Sequence, residues 1–209
     1  MLSERYSDRN FSSLIFAGTG YNMGLSYERQ LNEKFYVKGA FLGQLSELTH
    51  ELYPQTISSS FSEIDLQLYR RLFLKNQHKL SLGLGYSWVF EARTMEYGDY
   101  SYMQEWLQGL ALSPEYQLDL GTYLLRFTFV VPVLSGVSTP SHAGNGSHEF
   151  HFASLHNYFS LHTNSSVYFR IAPAQYVGMD YAWHFKNNEV VKSIHKASNA
   201  VRVSYMFNF

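Results

Sequence analysis

From Lys79 to Arg93 the side chains switch character at every step. Leu80, Leu82, Leu84, Tyr86, Trp88, Phe90 and Ala92 share one parity; Lys79, Ser81, Gly83, Gly85, Ser87, Glu91 and Arg93 share the other, with Val89 alone out of step. A β-strand sends successive side chains to opposite faces, whereas a helix would scatter this pattern around its circumference. The run therefore predicts a strand that is apolar along one whole face and small or charged along the other. It is also longer than soluble strands usually are (about five or six residues) and reaches the roughly nine to eleven residues that a strand needs to cross lipid.

The pattern recurs along the chain. Phe35, Val37, Phe41 and Leu45 alternate with Tyr36, Lys38, Gln44 and Ser46; Ile64, Leu66 and Leu68 with Glu63, Asp65 and Gln67. Leu110, Leu112, Tyr116 and Leu118 oppose Gly109, Ala111, Ser113, Glu115 and Gln117, and Tyr123 to Val133 oppose Arg126 and Thr128. One long run, Val167 to Phe185, reads as a single strand projecting beyond a membrane. Both faces of Phe150 to Leu161 carry aromatics and histidine, which predicts a bulge there.

Composition supports the same architecture. Aromatics make up 17% of residues, as 17 Tyr, 16 Phe and 3 Trp, yet mean hydropathy is only −0.22. A barrel in lipid reconciles the two, with an apolar exterior ringed by lipid-facing aromatic girdles and a small, polar interior. No stretch approaches the roughly 18 apolar residues of a membrane-spanning helix. A net charge of −1 without long charged runs gives no reason to expect a nucleic-acid partner. The absence of cysteine removes disulfide scaffolds, thiolate nucleophiles and Cys-based zinc sites. Met1 to Arg5 has no apolar core of a secretory signal, so Met1 reads as an introduced start or the remnant of a processed export signal.

Connections alternate in length. Gln30 to Lys34, Lys75 to Lys79, Asp119 to Gly121 and His162 to Ser165 read as short; Leu48 to Ser60, Thr94 to Gln104, Ser135 to His148 and Lys186 to Ala197 read as long. Short periplasmic turns and long external loops are the pattern of outer-membrane barrels, and they place both termini in the periplasm. Eight strands follow from Phe35 onward, so parity requires an even number before it. Arg5 to Ala17 and Tyr21 to Leu31, joined by a tight turn at Gly18-Thr19-Gly20, supply two and make ten strands. One continuous strand from Ser12 to Glu28 would give nine; eight is the alternative total if two segments pair only as loop extensions.

At the chain's end Val201, Val203, Tyr205, Phe207 and Phe209 alternate with Ala200, Arg202, Ser204, Met206 and Asn208. This resembles the C-terminal signature of bacterial outer-membrane β-barrel proteins, an amphipathic strand closing on an aromatic residue. The resemblance implies a Gram-negative outer-membrane protein inserted by the barrel-assembly machinery, in contact with outer-membrane lipid and lipopolysaccharide. The expected fold is all-β: a single transmembrane antiparallel up-and-down barrel domain over residues 1–209.

Five readings address chemistry and binding. His195-Lys196-Ala197-Ser198-Asn199-Ala200 resembles a segment of the lipid A 3-O-deacylases, which implies a His195/Ser198 esterase pair. Residues three apart in a strand fall on opposite faces, however. Asp180, His184 and Ser198 share the lumen-facing parity and form an acid, base and hydroxyl trio, for which a hydrogen-bonded lumen is the plainer account. His142, His148, His151, His156 and His162 gather near one long loop beside Glu149, but their spacing matches no metal motif, and no metal or cofactor is expected. Lys38, Glu63, Asp65, Arg71, Glu91, Arg93, Glu115, Arg126, Arg170 and Arg202 all point inward, which predicts cross-barrel ion pairs filling a narrow lumen. Tyr97, Tyr100, Tyr102 and Trp106 in the second long loop are candidate binding residues, or part of an aromatic girdle. The balance favours a non-catalytic outer-membrane barrel that acts as a structural or accessory subunit of an outer-membrane complex, with other outer-membrane proteins as candidate partners, or that presents external loops for binding. A lipid-ester hydrolase and a narrow pore are the alternatives.

Overall fold

The computed structural model describes residues 1–8, 12–51, 56–95, 101–140, 148–190 and 194–207. They form β1 (Leu2–Asp8), β2 (Ser12–Gln30), β3 (Phe35–Thr49), β4 (Thr56–Lys75), β5 (His78–Met95), β6 (Ser101–Asp119), β7 (Tyr123–Pro140), β8 (His148–Ser154), β9 (Tyr158–Ala172), β10 (Gln175–Asn188) and β11 (Ile194–Phe207). All pairings are antiparallel, and β11 returns to β1, so the sheet rolls into a ring.

The ring has ten staves because β8 and β9 descend the same one. Leu134–Pro140 of β7 pairs with β8, and Tyr123–Val130 of β7 pairs with β9. Between Ser154, opposite Leu134, and His162, opposite Val130, this stave advances 162 − 154 = 8 residues against 134 − 130 = 4. The surplus forms a turn in which the Ser154 N–H donates to the Asn157 side-chain oxygen at 2.9 Å. This is the bulge predicted within Phe150 to Leu161.

Ten strands and up-and-down order follow the sequence reading, but several boundaries do not. Gly18-Thr19-Gly20 is no turn. It lies inside β2, with Gly18 opposite Glu4 and Gly20 opposite Leu2, and the extra strand is β1, joined through residues 9–11. Likewise His162 to Ser165 lies inside β9, and the run from Val167 to Phe185 is a hairpin, not one strand. Its turn is Pro173-Ala174. Proline presets the first central φ, and Ala174 takes φ 63° at the second, the pattern of a type II turn. The four short connections lie at one end of the ring: 31–34, 76–77, 120–122 and 173–174. Two of them are fixed by side chains. Asn32 Oδ1 accepts from the Lys34 and Phe35 N–H groups, and Asp119 Oδ1 from that of Gly121 (φ 80°). The last long connection is shorter than expected, since β10 runs to Asn188 and β11 begins at Ile194.

The outward face is apolar over the short-turn half, with Leu66, Leu68, Leu82, Leu84, Leu110, Phe127, Phe129, Phe169, Val177 and Met179 exposed. Towards the long-loop end its character reverses. On β4 the outward residues become Ser62, Ser60 and Ser58, while Phe61 and Ile57 turn inward. There the interior is an ordinary apolar core. Tyr6, Phe16, Leu48, Ile57 and Ile194 cluster on one side; Leu107, Val137, Ala153 and Tyr158, backed by Val89 and Val190, cluster on the other. At the short-turn end Leu124, Tyr168 and Tyr176 pack with Met206, and Tyr36 stacks on Tyr69 at 4.7 Å between ring centroids.

Candidate functional site

Between these apolar layers the lumen is filled with charge. Lys186 on β10 and Lys196 on β11 stand directly opposite each other, an arrangement that repels unless carboxylates separate the pair. Glu91 does so. It reaches Lys196 at 2.7 Å, Lys186 at 3.2 Å and Arg93 at 2.7 Å. Lys186 also pairs with Glu105, and Lys196 with Glu4 at 3.2 Å. Asn188 donates to Glu105 at 2.6 Å, Ser46 to Glu4 at 3.1 Å, and the Arg93 guanidinium lies 4.0 Å above the Tyr6 ring. Three carboxylates and three cations balance, all are buried, and they join β1, β5, β6, β10 and β11 across the lumen. Buried charge is costly unless paired, and each of these six groups has an opposite charge within 3.2 Å.

A second hub lies towards the short turns. Glu115 on β6 accepts from the Tyr36 hydroxyl at 2.9 Å and the Thr128 hydroxyl at 3.2 Å, and pairs with Lys38 at 3.4 Å and Arg126 at 3.9 Å. Arg126 continues to Glu28 at 3.2 Å. Of the inward charges expected to pair across the barrel, Lys38 and Arg126 meet Glu115 and Arg93 meets Glu91 on its own strand, whereas Arg71 bonds to Gln30 and the Glu33 carbonyl, Arg170 to the Tyr176 hydroxyl and Arg202 to Asn164. Lys186, Lys196, Glu105 and Glu4 were missed because the sequence reading placed the first two in a loop and the others at strand edges. Their strict parity with Asp180, Arg202 and Glu115 is the signal that could have found them.

Between the hubs lies a cavity of about 20 Å³, bordered by Phe61, Glu63, Ser160, His162 and His184. That volume holds about one water molecule. Ser160 Oγ is 3.2 Å from His184 Nε2; His184 lies against His162, with 3.7 Å between ring centroids; His162 Nδ1 is 3.4 Å from Glu63. Polar contacts thus link Ser160 to His184 and His162 to Glu63, and ring contact joins the two imidazoles. Ser160 is only 2% exposed, however, and the space beside it admits water but not an ester.

The predicted trio is not assembled. Asp180, His184 and Ser198 are all buried and inward, and His184 faces Ser198 across β10 and β11. Asp180 sits four residues from His184, about 13 Å along the strand, and accepts instead from the Tyr168 hydroxyl at 3.0 Å. His195 is exposed on the outer face while Ser198 is buried inside, so the two do not face each other. Among the described residues no group of three or more His, Asp or Glu converges as a metal site. His151 lies 3.7 Å from Glu149; His142 falls outside the described residues.

Tyr97 and Tyr100 also fall outside them, and Tyr102 is described only as a backbone position opposite Thr94. Trp106 is not in a loop: it lies on β6, faces outward, and packs on Trp88 and Phe90 at 5.7 and 4.6 Å. Val201, Val203 and Tyr205 face outward on β11; Phe207 is its last residue, and Phe209 lies beyond the described region.

No family model and no curated protein matches the sequence. Among solved structures, the outer membrane protease OmpT from Escherichia coli superposes with a TM-score of 0.65 and 11% identity, covering 100% of this chain and 92% of that one. The ferric citrate transporter FecA matches over 91% of this chain and 39% of its own length, at 12% identity and a TM-score of 0.34. The chain has the fold of a bacterial outer-membrane β-barrel. At such identity the likeness extends to the fold alone.

Proposed function

We propose that this chain resides in the bacterial outer membrane as a plugged, non-conducting barrel, a structural or accessory subunit that binds other proteins through its external end. The observation that carries this reading is the filled lumen. The apolar layers, the Glu91 hub and the Glu115 hub succeed one another along the axis, and the cavity between the hubs has room for about one water. Transport needs a path and hydrolysis needs a pocket, and these layers and hubs stand across the axis where either would run. The outward apolar band fits lipid. Tyr86, Trp88, Phe90 and Trp106 at its upper margin fit an interfacial girdle. Above that margin the strands continue with polar outward faces, a rigid platform for the long connections. In this reading the short-turn end, where β11 finishes, belongs to the periplasmic side, whereas Met1, bonded to Val201 partway up the wall, does not reach it; the barrel-assembly machinery inserts the protein, and lipopolysaccharide surrounds its outer half.

Conductance of the purified protein in planar lipid bilayers tests the proposal. No steady current is expected above the bare-membrane level. Reproducible ohmic steps would refute it.

A further inference from the structure

The short-turn end of the ring is asymmetric in charge. Across the two hairpin ends of β2–β3 and β4–β5, residues 29–34 and 70–79, six cations (Arg29, Lys34, Arg70, Arg71, Lys75 and Lys79) stand against one carboxylate, Glu33. The other two short connections with their flanks, 119–123 and 170–176, carry one charge each, Asp119 and Arg170. Arg71 serves the fold. Its guanidinium donates to Gln30 Oε1 at 3.1 Å and to the Glu33 carbonyl at 3.0 Å, and its main-chain N–H to the Lys34 carbonyl at 2.8 Å, which ties the two hairpin ends together. Arg29, Lys34, Arg70 and Lys75 are exposed and Lys79 is half-buried. None of these five has an ion-pair partner among the described residues.

The same ends carry apolar side chains that alternation does not explain. The register shifts between Arg71 and Phe73, so Leu72 is an extra residue without a cross-strand partner. Leu72, Phe73 and Leu74 therefore follow one another on the surface, 55%, 49% and 60% exposed. Register also turns two of the cations outward: Arg29 is level with Val37 and Leu68, and Arg70 with Phe35 and Leu82. Water around this surface would expose a run of three large apolar side chains. Hydrocarbon around it would strand unpaired cations. The headgroup layer of a bilayer satisfies both, because apolar side chains dip towards the acyl chains while long cationic ones reach the phosphates. A zwitterionic headgroup offsets its phosphate with its own cation, so the unpaired excess of positive charge favours headgroups of net negative charge.

We infer that the β2–β3 and β4–β5 hairpin ends form a binding surface for anionic phospholipid, in the leaflet that meets the short-turn end. Arg29, Lys34, Arg70 and Lys75 take the headgroup phosphates, and the run from Leu72 to Leu74 sits among the first acyl carbons. Arg71 positions the surface by joining its two hairpins and touches no lipid. The inference rests on the outer-membrane reading above and adds to it a preference for one lipid class on one side of the barrel.

The chain has no cysteine, so a single introduced cysteine carries a single fluorophore. Bimane on Leu74→Cys reports the proposed surface. Bimane on Ile171→Cys, exposed at the short-turn end of β9, reports the far side of the ring. The whole protein is reconstituted in phosphatidylcholine vesicles containing increasing fractions of nitroxide-labelled phosphatidylglycerol or nitroxide-labelled phosphatidylcholine. Labelled phosphatidylcholine should quench both positions alike. Labelled phosphatidylglycerol should half-quench Leu74→Cys at a fraction about tenfold lower than Ile171→Cys, since each cation near an anionic surface contributes about fivefold. Adding Arg29→Gln/Arg70→Gln/Lys75→Gln should abolish that difference, whereas Arg29→Lys/Arg70→Lys should keep it. Equal half-quenching fractions at the two positions would overturn the inference, as would a difference that survives the three Gln substitutions. Failure of the membrane reading looks different: neither lipid would quench either position, and the inference would fall with it.

Discussion

Replacing Glu91 with alanine removes the carboxylate that separates Lys186 from Lys196 and holds Arg93. The side chain is 2% exposed and lies within 3.2 Å of all three cations. What remains is Glu4 and Glu105 facing three buried positive charges, with one charge uncompensated. Breaking a buried pair in this way typically costs about 3–5 kcal/mol, far above the roughly 0–1 kcal/mol of an exposed pair. Urea unfolding of the protein in lipid vesicles, followed by tryptophan emission, gives the difference directly. The Glu91→Met/Arg93→Met double variant leaves the Lys186–Glu105 and Lys196–Glu4 pairs and restores charge balance within the hub, and should lose less stability than Glu91→Ala alone. A loss below about 1 kcal/mol for Glu91→Ala would show that the hub is solvated and that the account of a dry, plugged lumen is wrong.

Three further outcomes follow from single residues. Ala174→Gly should raise stability by about 1 kcal/mol in the same titration, since φ 63° strains any residue with a Cβ; an unchanged midpoint would contradict the turn geometry. Gly83→Ala should lower stability by about 1–3 kcal/mol, because its methyl would meet the Tyr69 ring at 2.7 Å while Tyr36 holds that ring from the other face; a neutral result would mean that the stack yields. Ser160→Ala, His184→Ala, His195→Ala and Ser198→Ala should each leave lipid A composition unchanged in an overexpressing strain, as read by mass spectrometry. Deacylated lipid A that appears with the parent protein and vanishes in any of them would establish an esterase.

Alternation carried the strand count and the direction of most side chains, but it is blind to a two-residue hairpin. Outward parity passes straight from Phe169 through Pro173-Ala174 to Val177, because the register pairs Phe169 with Val177. Only Pro173 marked the turn, through its missing N–H. β1 escaped for a different reason. Its apolar residues, Leu2 and Tyr6, point inward while Ser3 and Arg5 point out, the reverse of a lipid-facing stave. Above the apolar band the exterior meets water and the interior becomes the core, so the rule that assigns apolar residues to the outside inverts. Phe16, Ile57 and Ile194 belong to that same inverted zone. The row of Ser160, His184, His162 and Glu63 was hidden because Ser160 and His162 sit where the sequence showed only an irregular strand and a supposed turn.

All three tryptophans lie on the outward face of the ring: Trp88 on β5, Trp106 on β6 and Trp183 on β10, beside the margin of the apolar band. Reconstitution into vesicles of brominated phospholipid therefore tests the membrane account most directly. Tryptophan emission should be strongly quenched, more so with bromine near the headgroup end of the acyl chain than near its tip. Emission indifferent to brominated lipid would place these rings in protein or water and contradict a lipid-embedded barrel.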